Sequence, residues 1–269
     1  MALIPALFVA ALLCTDPRST ASTVDAAAPA KAKAATSAST VEFTADDKRK
    51  LAASFWAPKD PKGAAPAAVL VHDAGSSRSE LAELGERLWK QGFAVVAVDL
   101  RGHGESLGTD KGWNKLPEEE RSRAWTLALR DVKAAADWMR EQPGVHGSNL
   151  SLLGDRAGAT LVARYAQRDD DVRCLVLLEP KEETLGFPLA KDIAALGGLP
   201  TCIVASKETS ATAQSIADTG AAANDGHRYV EVLIAKGAAV GTTADKTCVV
   251  NIAKYMSTQA NPQKSGEKQ

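Results

Sequence analysis

Gly154-Asp155-Arg156-Ala157-Gly158 has the spacing of a strand–turn–helix elbow, a Gly-x-x-x-Gly turn that holds its third residue at the tip. The apolar run 150–153 leads into it and a helix-forming stretch leads out. A residue held there sits on strained backbone, with glycines keeping neighbouring Cβ atoms clear, and is placed to attack a carbonyl or carbon centre. Serine, cysteine or aspartate could make that attack. Arg156 cannot, because a guanidinium stays protonated and has no lone pair to give. Its chemistry is anion recognition. It would project at the N-terminus of the following helix, where peptide N–H groups and the helix dipole already favour negative charge. Its planar fork matches a carboxylate or a phosphate.

Other reactive side chains form no obvious set. No His, Cys, Asp and Glu spacing suggests convergent metal ligands, and neither a metal nor a cofactor is expected. Cys174 and Cys202 lie in strand-like apolar runs, where a thiol packs as a small hydrophobe. With Cys248 they show no regular spacing, so a disulfide framework is not indicated.

The elements that must position the elbow alternate along the body. Residues 41–44 and 50–56, separated by Asp46-Asp47, read as an opening hairpin. Short apolar runs at 67–72, 93–99, 150–153, 173–178, 201–205 and 229–234 read as buried strands. Helical patterns fall at 79–91, 122–140, 157–167, 211–222 and 243–257, the second with Trp125, Leu129, Val132 and Ala136 on one face. Such alternation predicts an α/β fold: a doubly wound, mostly parallel eight-stranded sheet with helices on both faces. Residues 179–200 leave little room for a lid domain.

The 269 residues carry a net charge of −1 with no basic run, which argues against a nucleic-acid partner. Residues 1–21 read as a signal peptide: the apolar stretch is too short to span a bilayer stably, and Ser19-Thr20-Ala21 offers a small-residue cleavage site. The expectation is export. Leu12-Leu13 before Cys14 does not suit lipid attachment. Residues 22–40, rich in Ala, Thr and Ser, read as a disordered linker, and 260–269 as a disordered tail. One domain over 41–259 remains.

Three segments in order, Val69 to Arg78 (VLVHDAGSSR), Val98 to Ser106 (VDLRGHGES) and the elbow, resemble small, lidless bacterial α/β-hydrolases of the dienelactone-hydrolase-like and serine-peptidase-like esterase kind. The resemblance implies an oxyanion hole built from the backbone N–H groups near Ala74 and of Ala157. It makes His103 a structural residue of its loop. It also puts the nucleophile at Arg156, the acid at Thr209 and the base at Val240, so all three members are substituted. Glu208, one position from Thr209, is an alternative acid. Asp155 should point away from the attacking position. Ser76 or Ser77 assisted by His72 is a conceivable replacement nucleophile.

The expected protein is therefore a catalytically degenerate hydrolase-fold chain. One reading gives it a binding role, with Arg156, Ala157 and Ala74 holding a small carboxylate, a phosphate or the acidic side chain of an unspecified protein partner. Another pairs Arg156 internally with Glu179 or Glu208, with Asp73 also near. The alternative is a weak carboxylic-ester hydrolase with a non-standard catalytic set.

Overall fold

The computed structural model describes residues 38–108, 111–224, 226, 229–235 and 246–260. The expected signal segment 1–21, the linker before residue 38, Val240 and residues 261–269 lie outside the described residues. Eight strands form one sheet: β1 Ser39–Thr44, β2 Lys50–Trp56, β3 Ala65–Val71, β4 Ala94–Val98, β5 Val145–Asp155, β6 Val172–Leu178, β7 Thr201–Ala205 and β8 Val230–Ile234. Their order across the sheet is β1-β2-β4-β3-β5-β6-β7-β8. Strand β2 runs antiparallel to β1 and β4; every pairing from β4 through β8 is parallel. The doubly wound, mostly parallel architecture expected from the apolar runs is what the chain adopts.

Helices cover both faces because successive side chains of a strand point to opposite sides. Along β3, Ala67, Val69 and Val71 enter one core while Ala68 and Leu70 enter the other. The first core is closed by α2 (Glu118–Leu127), α3 (Leu129–Arg140), α4 (Ala157–Ala166), α5 (Leu189–Ala194) and α6 (Ser210–Ala223). The second is closed by α1 (Ala82–Lys90) and α7 (Lys246–Ala260). Between β6 and β7 lie a two-stranded hairpin, Glu183–Thr184 with Phe187–Pro188, and α5.

One helix expectation is corrected. The stretch 122–140 is two helices rather than one, interrupted at Ala128, whose N–H is shared between the carbonyls of Ala124 and Trp125 at 3.1 Å each. The apolar stripe belongs to α3, which buries Val132, Ala135, Ala136 and Met139. In α2 the buried residue is Trp125 alone. That ring packs edge-on to Trp113 at 5.5 Å. The elbow strand is longer than expected, since β5 begins at Val145.

Candidate functional site

The elbow forms at the C-terminal end of β5, where the strand hands over to α4. Arg156 is the turn residue, at φ 45° and ψ −105°, a region that L-residues avoid at a cost of about 1–3 kcal/mol. Both flanking glycines are required by close approach. A Cβ on Gly154 would lie 2.5 Å from the Ala159 nitrogen, and one on Gly158 would lie 2.6 Å from the Val71 carbonyl oxygen. The sequence spacing thus marks a real elbow, with a guanidinium at its tip.

Opposite the tip, the loop after β3 brings in Asp73 and Ala74. The N–H of Ala74 and the N–H of Ala157 both donate to Asp73 Oδ1, each at 2.9 Å. Two amides from segments far apart in sequence converge on one oxygen. That is the geometry of an oxyanion hole, formed by the two residues the resemblance implied and filled by a carboxylate of the protein itself. Hydrogen bonds to a charged group are worth about 1.5–3 kcal/mol each, so the Asp73 side chain is held firmly.

Arg156 leans toward this loop. Its Nη1 lies 3.1 Å from Asp155 Oδ2, 3.6 Å from Asp73 Oδ2 and 3.9 Å from Glu80 Oε2. Of the internal partners expected, Asp73 is met; Glu179 and Glu208 are not. The reason lies at the other corner of the sheet. Glu179, at φ 44° just after β6, accepts the Ser206 N–H on Oε1 at 2.7 Å and the Thr209 hydroxyl on Oε2. Its carboxylate is already engaged.

Asp155 sits beneath the guanidinium and is 3 % exposed. Alternation along β5 sends it toward the α1 and α7 face with Leu153, away from the tip as expected. Only Oδ2 meets Arg156; Oδ1 is buried without a hydrogen-bond partner. Burial pushes this carboxyl up to about 7, with Asp73, Glu80 and Glu179 adding to the rise and Arg156 opposing it.

Thr209, at the acid position, precedes α6 and donates to Glu179, while Glu208 is exposed beside it. His72 and His103 are buried side by side, with ring centroids 4.9 Å apart. His72 Nδ1 bonds the Asp73 carbonyl at 2.7 Å and Nε2 accepts the Leu100 N–H at 3.1 Å. His103 likewise bonds the Arg101 carbonyl through Nδ1 and accepts the Gly75 N–H on Nε2 at 2.9 Å. Both rings are therefore neutral braces for the loop that carries Asp73. Burial lowers His72, and it lowers His103 to about 4. Neither serine pairs with His72. Ser77 bonds Ser79 at 2.7 Å, and the Ser76 hydroxyl is buried without a partner. His146 lies at the start of β5, roughly 30 Å of strand from the elbow.

Beside the elbow, on the β6–β7 side, opens a cleft of about 870 Å³. Arg156, Lys181, Glu179, Glu182, Glu183 and Glu208 supply its charged lining. Among the described residues there is no group of three His, Cys, Asp or Glu side chains able to hold a metal ion, and no helix long and apolar enough to cross a membrane. The role of Asp73 was not legible in the sequence. A carboxylate beside a glycine-containing loop was the only signal, and it does not say where the side chain turns.

The family model for serine aminopeptidase, S33, matches residues 63–195, just under half of the chain. The match includes the loop after β3 and the elbow and ends before β7. No curated protein matches the sequence. Among solved structures, a putative dienelactone hydrolase from Klebsiella pneumoniae is similar over 84% of this chain and 99% of its own, at 17% identity and a TM-score of 0.60. An esterase from Pyrococcus furiosus matches over 85% of this chain and 90% of its own, at 17% identity and a TM-score of 0.57. Esterase 2 from Thermogutta terrifontis, phosphorylated by paraoxon, matches over 82% and 91%, at 19% identity and a TM-score of 0.58.

Proposed function

We propose that this chain, which shares its fold with a dienelactone hydrolase and several esterases, is a non-hydrolytic member of the α/β-hydrolase superfamily, whose chemistry starts from a nucleophile at the elbow tip. The observation that carries the reading is the Asp73 carboxylate seated on the amides of Ala74 and Ala157. Acyl transfer needs those donors free to meet developing negative charge on a substrate oxygen. Here they already face a full negative charge, and the residue that would attack is Arg156. Both demands of the chemistry fail at one place.

In this reading the binding role expected of Arg156, Ala157 and Ala74 takes an altered form. The anion the site was built to take is supplied internally, and a small carboxylate or phosphate has to compete with Asp73. Fold likeness alone is a weak warrant for activity. The esterase neighbours and the serine aminopeptidase match nevertheless favour a second reading, a weak hydrolase of carboxylic esters using an unrecognised set.

One assay separates the two. Purified protein is offered short-chain p-nitrophenyl esters beside an Arg156→Ala variant. The expected rates equal the buffer background for both. Clear turnover that disappears in Arg156→Ala would establish chemistry at the elbow and overturn the proposal. Turnover untouched by that change would overturn it too and direct attention to Ser76, Ser77 and His72.

A further inference from the structure

We propose that Asp73 is an autoinhibitory plug: a tethered carboxylate that keeps closed a binding site for small monocarboxylates. The inference concerns the same site as the proposed loss of hydrolysis, but it is judged by binding and stands or falls apart from turnover.

The plug itself reports what the site accepts. One oxygen of Asp73 receives two N–H groups at 2.9 Å, and the other lies 3.6 Å from the Arg156 guanidinium. A carboxylate arriving from outside would find the same three groups in the same arrangement. The site is more than a helix end. Ala157 begins the ten-residue helix α4, Ala74 comes from a separate loop, and Arg156 supplies a full charge.

The surroundings say which carboxylates fit. Arg156 is the one group of the seat that also lines the cleft of about 870 Å³, so the body of a ligand whose carboxylate replaced that of Asp73 would enter that cleft past the guanidinium. The other charges of that lining are Lys181 and four glutamates, Glu179, Glu182, Glu183 and Glu208. A second carboxylate on the ligand would be repelled. The class is a monocarboxylate with an uncharged body.

A tethered competitor acts like a high local concentration of rival ligand, so its removal raises the apparent affinity. The test is titration of ¹⁵N-labelled protein with butyrate and with succinate, followed through the amide signals of Ala74 and Ala157. In Asp73→Ala, butyrate is expected to shift both signals and to bind at least tenfold more tightly than to the unaltered chain. Succinate should bind more weakly than butyrate, and adding Arg156→Ala should abolish binding. Equal butyrate affinity with and without Asp73, or binding that leaves both amides unmoved, would overturn the proposal. If Asp73→Ala fails to fold, Asp73→Asn keeps an oxygen on both amides without the charge. Its butyrate affinity is then expected to exceed that of the unaltered chain, and equality would overturn the plug.

Discussion

At the scale of the residue, the site turns on two side chains, Arg156 at the tip of the elbow and Asp73 on the amides of Ala74 and Ala157. On the proposed non-hydrolytic reading, Arg156 offers no attacking atom and Asp73 occupies the donors that acyl transfer would need. Restoring one member should therefore restore nothing. Arg156→Ser is expected to hydrolyse p-nitrophenyl acetate at the buffer rate, because the two buried histidines of the described chain are committed on both ring nitrogens and His146 sits at the far end of β5. A measured rate well above buffer would mean that a base reaches the tip from outside those residues. Much of this site was legible in the sequence. The glycine spacing fixes the elbow backbone, so Arg156 at the tip and Ala157 behind it follow from residue order, and the loop motif brings Ala74 with them. What was not legible depends on side-chain direction between distant segments. Asp73 reaches an amide 84 positions away, and Glu179 turns to Thr209 rather than to Arg156. Spacing fixes where a backbone goes; it does not say which of several nearby carboxylates a guanidinium or an amide will choose.

At the scale of the element, the junction of β3, β5 and α4 is the piece whose geometry cannot be adjusted. Helix α4 approaches β3 so closely that only hydrogen fits at Gly158, and the tight turn leaves no space for a Cβ at Gly154. In both cases the atoms met are backbone, which cannot rotate away. Gly158→Ala is expected to destabilise the fold by about 3 kcal/mol, the upper part of the usual range for overpacking, read as a lower midpoint in urea unfolding with an unchanged slope. A loss below about 0.5 kcal/mol would show that α4 can slide on the sheet. The same reasoning explains which elements could be read in advance. Strands β3 to β7 are near-continuous apolar runs because both faces are covered, and such runs announce themselves. The break between α2 and α3 does not, since helix propensity continues through Ala128 and the burial of Trp125 against Trp113, His103 and Thr160 is a long-range contact that no local pattern announces.

At the scale of the whole molecule, buried titratable groups under the site make stability depend on pH in two opposing ways. His72 and His103 are both lowered by burial, His103 to about 4. Below the ordinary histidine value near 6.5, the unfolded chain takes up protons that the folded chain refuses, so these two rings withdraw stability as pH falls from about 6.5 toward 4. Asp155 works in the other direction. Its carboxyl, raised to about 7, stays protonated in the fold while the unfolded chain has already ionised, so its contribution is fully present below about 3.8 and is lost as pH rises through 7. The two effects overlap between 4 and 6.5, and the unaltered protein shows only their sum. Asp155→Asn separates them. Relative to the unaltered chain, that variant is expected to gain roughly 2–3 kcal/mol of unfolding free energy between pH 5 and pH 8, while keeping the acid-side loss that the histidines cause. Urea unfolding at the two pH values reads the difference directly. If the gap between variant and unaltered chain stayed constant from pH 5 to pH 8, Asp155 would already be ionised throughout. Arg156 would then be held by a permanent buried charge, and the guanidinium at the elbow would be fixed from below as firmly as the two amides are capped by Asp73 from above.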